Sequence, residues 1–367
     1  MNKIIVLIIA ILIIFGIIYY LESMRIKPVI KNTLDNKNAK EVALKDGKYQ
    51  KAPELTGIKG HINTKEGLKI SELKGKVVLV DFWTYSCINC IRTLPFLTEW
   101  YVKYKDRGLE IIGVHTPEFD FEKDYNNVLN AVKKHNIKYP VVQDNDYATW
   151  AVYKNRYWPH KYLIDKDGYI RYDHVGEGAY DETEEKIKEL LAELGNGMSD
   201  MPNVKLEDKP PQLKQTPELY AGFNFALPRG QNIGNKNGLQ PNKIINYKSP
   251  KNIEEDIIYL EGKWKSNSDN LLAQDENESS IVLNFIAGSV NIVADSFGQP
   301  LKLNVHINNE PLKNEMAGSD ILFEDNNAYI IIDEPRLYNV FNGKYGRYIL
   351  KVTTQSKDFS FNAFTFG

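Results

Sequence analysis

Lys76-Val77-Val78-Leu79-Val80-Asp81-Phe82-Trp83-Thr84-Tyr85-Ser86-Cys87-Ile88-Asn89-Cys90 is the stretch from which the fold follows. Residues 76–83 are mostly apolar and β-branched with a single aspartate, the mark of a strand covered on both faces. Beyond the cysteines, Ile91, Leu94, Leu97, Tyr101 and Tyr104 recur at three- and four-residue intervals until Asp106-Arg107-Gly108, so a helix is expected there. The Cys-x-x-Cys therefore lies where a strand ends and a helix starts. A helix N-terminus offers unpaired N–H groups and the positive end of the dipole, which favour a thiolate. Cys87 is accordingly the expected nucleophile, and Cys90, one turn further in, the expected resolving thiol. A Cys-x-x-Cys also serves as half of a zinc site. The other half is missing, because the chain has 2 cysteines in all and its 6 histidines are scattered at 61, 115, 135, 160, 174 and 306. The pair is read as redox-active, with no metal and no cofactor.

Working outward, residues 109–114 read as a second buried strand, 125–135 as an amphipathic helix, 140–142 as a brief strand and 147–153 as a short helix. A hairpin follows, 161–165 and 169–172 about Lys166-Asp167-Gly168, and a charged helix over 183–194 closes the unit. Upstream, Gly60-His61-Ile62-Asn63 and Gly67-Leu68-Lys69-Ile70 read as two short strands. This order predicts a mixed sheet with helices on both faces. After a linker that contains Pro210-Pro211, the character changes. Segments 280–285, 290–294, 301–307, 328–332, 348–352 and 359–366 are short, alternating or aromatic-rich and separated by Asn, Asp, Gly and Pro, which indicates a β-sandwich.

The chain has 367 residues, too many for one ordinary core, and a net charge of -2 from 46 basic and 48 acidic residues, so it lacks the basic excess of a nucleic-acid binder. At its start, residues 4–21 form an uncharged run of 18 residues, about 27 Å of helix and enough to cross a bilayer. The run ends Tyr19-Tyr20-Leu21-Glu22-Ser23 without a small-residue cleavage site, so it reads as an uncleaved anchor. Arg25, Lys27 and Lys31 after the run argue for a cytoplasmic body. The short cationic start, the long polar body and the absence of stray thiols argue for an extracytoplasmic one, which is the expectation taken here. The expected organisation is an anchor at 1–23, a linker at 24–52, an α/β domain at 53–196, a linker at 197–216 and a β domain at 217–367.

Val80-Asp81-Phe82-Trp83 ahead of Cys87, together with Pro95 five residues after Cys90, resembles the active-site approach and kinked helix of thioredoxin. The chain is more closely similar to the membrane-anchored TlpA/ResA group. It is most similar to the soluble part of DipZ-type proteins, in which such a domain precedes a carbohydrate-binding-module-like, jelly-roll-like β domain. Gly113-Val114-His115-Thr116-Pro117-Glu118-Phe119 and the final Asn362-Ala363-Phe364-Thr365-Phe366-Gly367 look like that group. The resemblance covers about residue 55 onward and implies thiol–disulfide exchange on a protein disulfide, in the reducing direction, as for apocytochrome c thiols before haem attachment. It also implies that Asp81 assists proton transfer at the resolving thiol and that Glu118 lies near the disulfide. Pro159, after Trp158, matches a cis-proline that faces the disulfide and pairs with substrate. Trp83 is grouped with these as a shield over the disulfide, or else belongs to the core. His115 and His160 flank the same loops and could tune the thiolate or merely fill space. DipZ proteins carry a multi-pass electron-conducting domain where this chain shows one span, so a separate CcdA-like membrane donor is expected.

Two other readings compete. Thr84-x-x-Cys87 resembles the peroxiredoxin Thr-x-x-Cys, although Val80 stands where that motif wants proline. Alternatively the β domain is the functional part, binding glycan or protein, with Trp264, Tyr338 and Tyr345 as candidates to stack on sugar rings.

Overall fold

The computed structural model describes residues 45–195, 201–206, 213–248 and 252–367, all within one compact unit spanning 44–367. The expected anchor lies outside the described residues. No helix among the described residues is long and apolar enough to cross a membrane.

The first half runs β1 (Gly60–Ile62), β2 (Val77–Trp83), α1 (Ile88–Tyr104), β3 (Leu109–His115), α2 (Tyr125–Lys134), β4 (Val141–Gln143), α3 (Ala148–Val152), β5 (His160–Ile164), β6 (Ile170–Val175) and α4 (Tyr180–Ala192). Its six strands form one sheet in the order β1-β4-β3-β2-β5-β6. β2, β3 and β4 are mutually parallel, while β1, β5 and β6 pair antiparallel with their neighbours. This is the mixed sheet that the element order predicts.

All seven residues of β2 are buried, and the strand alternates between two cores. Val77, Leu79 and Trp83 pack with Leu94, Leu97 and Trp100 of α1, whereas Val78, Val80 and Phe82 pack with Tyr153 and Tyr162 on the other face. By the same alternation Asp81 takes the α1 face, where Cys90 lies.

Two expectations change. The second short strand is a 3-10 turn at Ile70–Leu73, because the Glu54 carboxylate accepts from the Ile70 and Ser71 N–H groups and folds the chain there. The fold also takes in residues 45–52, the end of the linker expected at 24–52. Ala52 N–H donates to Gly168 O and Ile170 N–H to Gln50 O, fastening the segment beside β6.

The second half is antiparallel β: β7 (Leu219–Tyr220), β8 (Ile244–Tyr247), β9 (Ile258–Ser266), β10 (Leu271–Ala273), β11 (Ser279–Asp295), β12 (Leu301–Ile307), β13 (Glu310–Pro311), β14 (Leu322–Glu324), β15 (Asn327–Ile332), β16 (Arg336–Thr354) and β17 (Ser360–Phe366). The segments expected at 280–285 and 290–294 are one strand, β11, bent at irregularities between Ala287 and Ser289 and between Val290 and Asn291. The bends let its first part pair with β9 and its last part with β17. β10 links β17 back to β9, so the strands close a ring around a core that includes Trp264, Phe285, Tyr338, Phe341 and Phe361. β16 accompanies β11 along almost its whole length.

Candidate active site

The strand–helix junction puts the two sulfurs in series. Cys87 is the N-cap of α1, and its Sγ accepts from the Cys90 N–H at 3.4 Å. The Cys87 thiol also points at Trp158 O, 4.0 Å away. Both cysteines are free thiols. Cys87 is 9% exposed and Cys90 1%, so the sulfur at the helix mouth is the more accessible of the two. Burial, reinforced by the adjacent Cys87, pushes the Cys90 thiol well up and keeps it protonated until a base removes the proton.

A buried carboxyl lies on the same face and acts on this thiol. Asp81 is buried on the α1 face, and among the described residues no group hydrogen-bonds either of its oxygens. Burial lifts its pKa to about 7 against the pull of Lys161. Lys161 stands opposite Asp81 in the β2–β5 register, is 1% exposed and donates from Nζ to Gly176 O at 3.1 Å. Burial lowers its pKa, while Asp81 and Cys90 oppose the fall. A carboxyl raised to about 7 beside the inner thiol can accept and return its proton near neutrality, with the buried Lys161 amine feeling both groups. The sequence reading missed Lys161, although a lysine heading the apolar run 161–164 of a buried strand was the signal.

In front of Cys87 lies a cavity of about 40 Å³, lined also by Glu118, Trp158, Glu218, Tyr220 and Thr365. Its volume is enough for a water molecule but not for a side chain. Glu118 is half-buried, and its pKa is pushed up to about 8, first by burial and then by Glu218 and Glu122. The Trp158–Pro159 peptide is cis. The Trp158 indole donates from Nε1 to Thr116 O at 3.0 Å and packs on Trp150, with ring centroids 4.2 Å apart.

Glu122, which no sequence signal singled out, fastens this region. Its buried carboxylate accepts from Ser86 Oγ at 2.6 Å and from the Glu118 and Phe119 N–H groups at 2.5 and 2.9 Å. It thereby ties the residue before Cys87 to the loop that carries Glu118.

Several expectations are corrected or narrowed. Trp83 is wholly buried, edge-on to His115, and offers no surface to a substrate; it belongs to the core beneath the site. His115 is buried too, which lowers its pKa to about 3 and leaves it neutral. His160 bonds Asn155 Oδ1 and Asp173 Oδ2, an anchoring role within β5 and β6. The Thr84 hydroxyl is buried against His115 Nε2 at 3.3 Å, so it is not presented to a peroxide. Trp264 and Tyr338 are core residues and cannot stack on sugar, whereas Tyr345 is exposed.

The β half roofs the site. Phe119 shares an apolar cluster with Val293 and Ala363, against which Tyr220 and Leu337 pack. Beside this contact a larger cleft, about 560 Å³, runs between Tyr85, Ile88 and Ile91 on one side and Pro335, Leu337 and Asn339 on the other.

Residues 49–173 match the AhpC/TSA family, and residues 216–367 match a family described as thioredoxin like C-terminal domain. The chain is 33% identical to the thiol-disulfide oxidoreductase YkuV of Bacillus subtilis over 147 residues, which are 39% of this chain and 96% of that protein. It is 35% identical over 127 residues to the thiol-disulfide oxidoreductase ResA of Bacillus thuringiensis, covering 34% of this chain and 70% of that one. To Protein DipZ of Mycobacterium tuberculosis it is 39% identical over 251 residues, 67% of this chain and 35% of the other. The chain thus spans about a third of the length of the DipZ proteins.

Proposed function

This chain belongs to the thioredoxin-like thiol-disulfide oxidoreductases, and we propose that within that family it reduces disulfides of protein substrates through Cys87 and Cys90. The observation that carries this reading is the serial arrangement of the sulfurs, one capping α1 beside Trp158 O and the other sealed behind it next to Asp81. The Cys87 thiolate attacks one sulfur of the substrate disulfide, which breaks that bond, forms a mixed disulfide and expels the other sulfur as a thiolate. Asp81 then takes the proton of Cys90. The Cys90 thiolate attacks Cys87 Sγ, the mixed disulfide breaks, and the second substrate sulfur leaves and is protonated. Two electrons pass to the substrate, and Cys87–Cys90 is left oxidised.

The finer parts of the proposal are that the chain is held in the cell membrane by residues 4–21 with its body outside the cytoplasm. A separate CcdA-like membrane dithiol protein would re-reduce it, and disulfides formed in apocytochrome c before haem attachment are one substrate class. The uncharged run and the lack of any thiol outside the pair support this placement. For the β half, Tyr345 remains available to a glycan or protein ligand.

Insulin reduction with dithiothreitol as the electron source tests the activity. The reading requires turnover that is abolished in Cys87→Ser, and a stable mixed disulfide at Cys87 in Cys90→Ser. Turnover that survives Cys87→Ser would refute it. Peroxide consumption without disulfide reduction would transfer the site to the peroxidase reading.

A further inference from the structure

Beside the small cavity that Cys87 faces, three titratable side chains from the two halves meet on one hydrogen-bond donor. Tyr220 Oη lies 2.9 Å from Glu118 Oε1 and 3.2 Å from Glu218 Oε2. A phenol carries one hydrogen, and ionised carboxylates only accept. Two anionic carboxylates therefore cannot both be satisfied here. The arrangement closes when one carboxyl keeps a proton and donates it to the phenolic oxygen while the phenol donates to the other. The surroundings agree, since burial raises both carboxyls; Glu118 is raised further by Glu218 and Glu122 and opposed by Tyr220 and Arg229. Glu218 is raised first by burial, opposed by Tyr220, Arg229 and Arg92, with Glu177 adding to the rise. The Tyr147 phenol is raised by burial and by the charges of Glu122 and Glu118.

The three groups are held in place by backbone as well as by side chains. Tyr220 lies in β7, paired with Ala363 of β17. Gln231 accepts from the Tyr220 N–H at 2.9 Å and donates to Glu218 O at 2.7 Å. The Arg229 guanidinium covers the Tyr220 ring at 4.4 Å. On the other side Glu122 fixes the Glu118 backbone.

We propose that Glu118, Tyr220 and Glu218 together form a one-proton store across the two halves, with Tyr220 and Glu218 as positioning residues that act through Glu118. It holds the proton that Cys87 gives up on becoming a thiolate and delivers it to the first sulfur that leaves the substrate. In that step the Cys87 thiolate forms the mixed disulfide, the substrate S–S bond breaks, and the departing thiolate takes the proton and leaves Glu118 anionic. The proton is replaced when the Cys87 thiol, regenerated by the electron donor, ionises for the next attack. The inference rests on the thiol–disulfide exchange reading and assigns the β half a share in it.

The test is a carboxyl titration of the reduced full chain labelled with 13C-glutamate, in which the Glu118 signal is the one lost in Glu118→Gln. Glu218→Gln removes a neighbouring negative charge and should move the Glu118 midpoint down by about a unit or more, within the range such neighbours exert. Tyr220→Phe removes a hydrogen bond to the anion and should move the midpoint up. Loosening of the two halves would hydrate Glu118 and move both variants down. Opposite shifts support the store, and any other pattern overturns it. In parallel, the rate of mixed-disulfide formation in Cys90→Ser should lose its high-pH fall near pH 8 when Glu118→Gln is added. Insulin reduction by the unaltered chain is scored separately, so loss of the store and loss of the exchange reading are distinguishable.

Discussion

Asp81 acquires its chemistry from where β2 puts it. On a surface its carboxyl would stay ionised at every pH of interest; buried beside Cys90, it titrates at about 7. Asp81→Asn should slow release of the mixed disulfide by about a hundredfold at pH 8, the ordinary worth of a placed acid–base group, and rapid-quench kinetics would show it. The same variant should be more stable than the parent at pH 8. A carboxyl raised in the fold binds its proton more tightly than in the unfolded chain, so its stabilising share is lost as pH rises from the unfolded value toward the folded one. A urea melt should register a gain of up to about 4 kcal/mol. Gly113→Ala probes the layer beneath, because an added Cβ would stand 2.9 Å from Trp83 Nε1 and 3.2 Å from Tyr139 Cε2. A loss of about 1–3 kcal/mol is expected from such overpacking. The Cys87–Cys90 pair and its place at a strand–helix junction were legible because they follow from one contiguous stretch, whereas Asp81 was given its role by resemblance. Lys161 was not singled out, since its significance depends on the residue across the strand.

Helix α1 is held from several sides, one of them the carboxylate of Glu184 on α4. It accepts from Trp100 Nε1 at 3.0 Å, Lys103 Nζ at 2.7 Å, Tyr104 Oη at 2.6 Å and Val204 N–H at 2.8 Å. Burial opposes ionisation, but these four donors outweigh it and hold the group below its ordinary 4.5. A depressed carboxylate adds stability above its unfolded value and loses it as pH falls through the folded one. Glu184→Gln should therefore cost about 2–4 kcal/mol at pH 7, and the gap from the parent should narrow as denaturant melts are taken toward pH 3. The helices and central strands were legible from their periodicity. The long strands β11 and β16 were not, because Asn, Gly and Ser at their bends look like chain breaks in sequence, whereas the partner strand carries the pairing across them.

The contact between the halves lies over the reactive sulfur. The cluster of Phe119, Val293 and Ala363 lies over a cavity too small for a peptide, so opening of this contact is expected to widen access to Cys87. Val293→Asp places a charge in that apolar contact, which is unfavourable while the halves are closed. It should raise the rate of Cys87 alkylation by iodoacetamide about tenfold or more, read by mass spectrometry, with little change in far-ultraviolet circular dichroism. An unchanged rate would mean that the roof does not limit access. Nothing in the sequence announced this contact, since Phe119 and Val293 are ordinary core-type residues 174 positions apart. Glu118 was singled out by resemblance, but its partners Tyr220 and Glu218 come from the β half and become visible only in three dimensions.

The division of labour between the two sulfurs can be read in one experiment: treat the fully reduced chain with less than one equivalent of iodoacetamide at pH 7 and map the modified peptide. Cys87 should carry nearly all of the label while Cys90 stays unmodified. Label on Cys90 first, or equally on both, would contradict the assignment of Cys87 as the attacking sulfur.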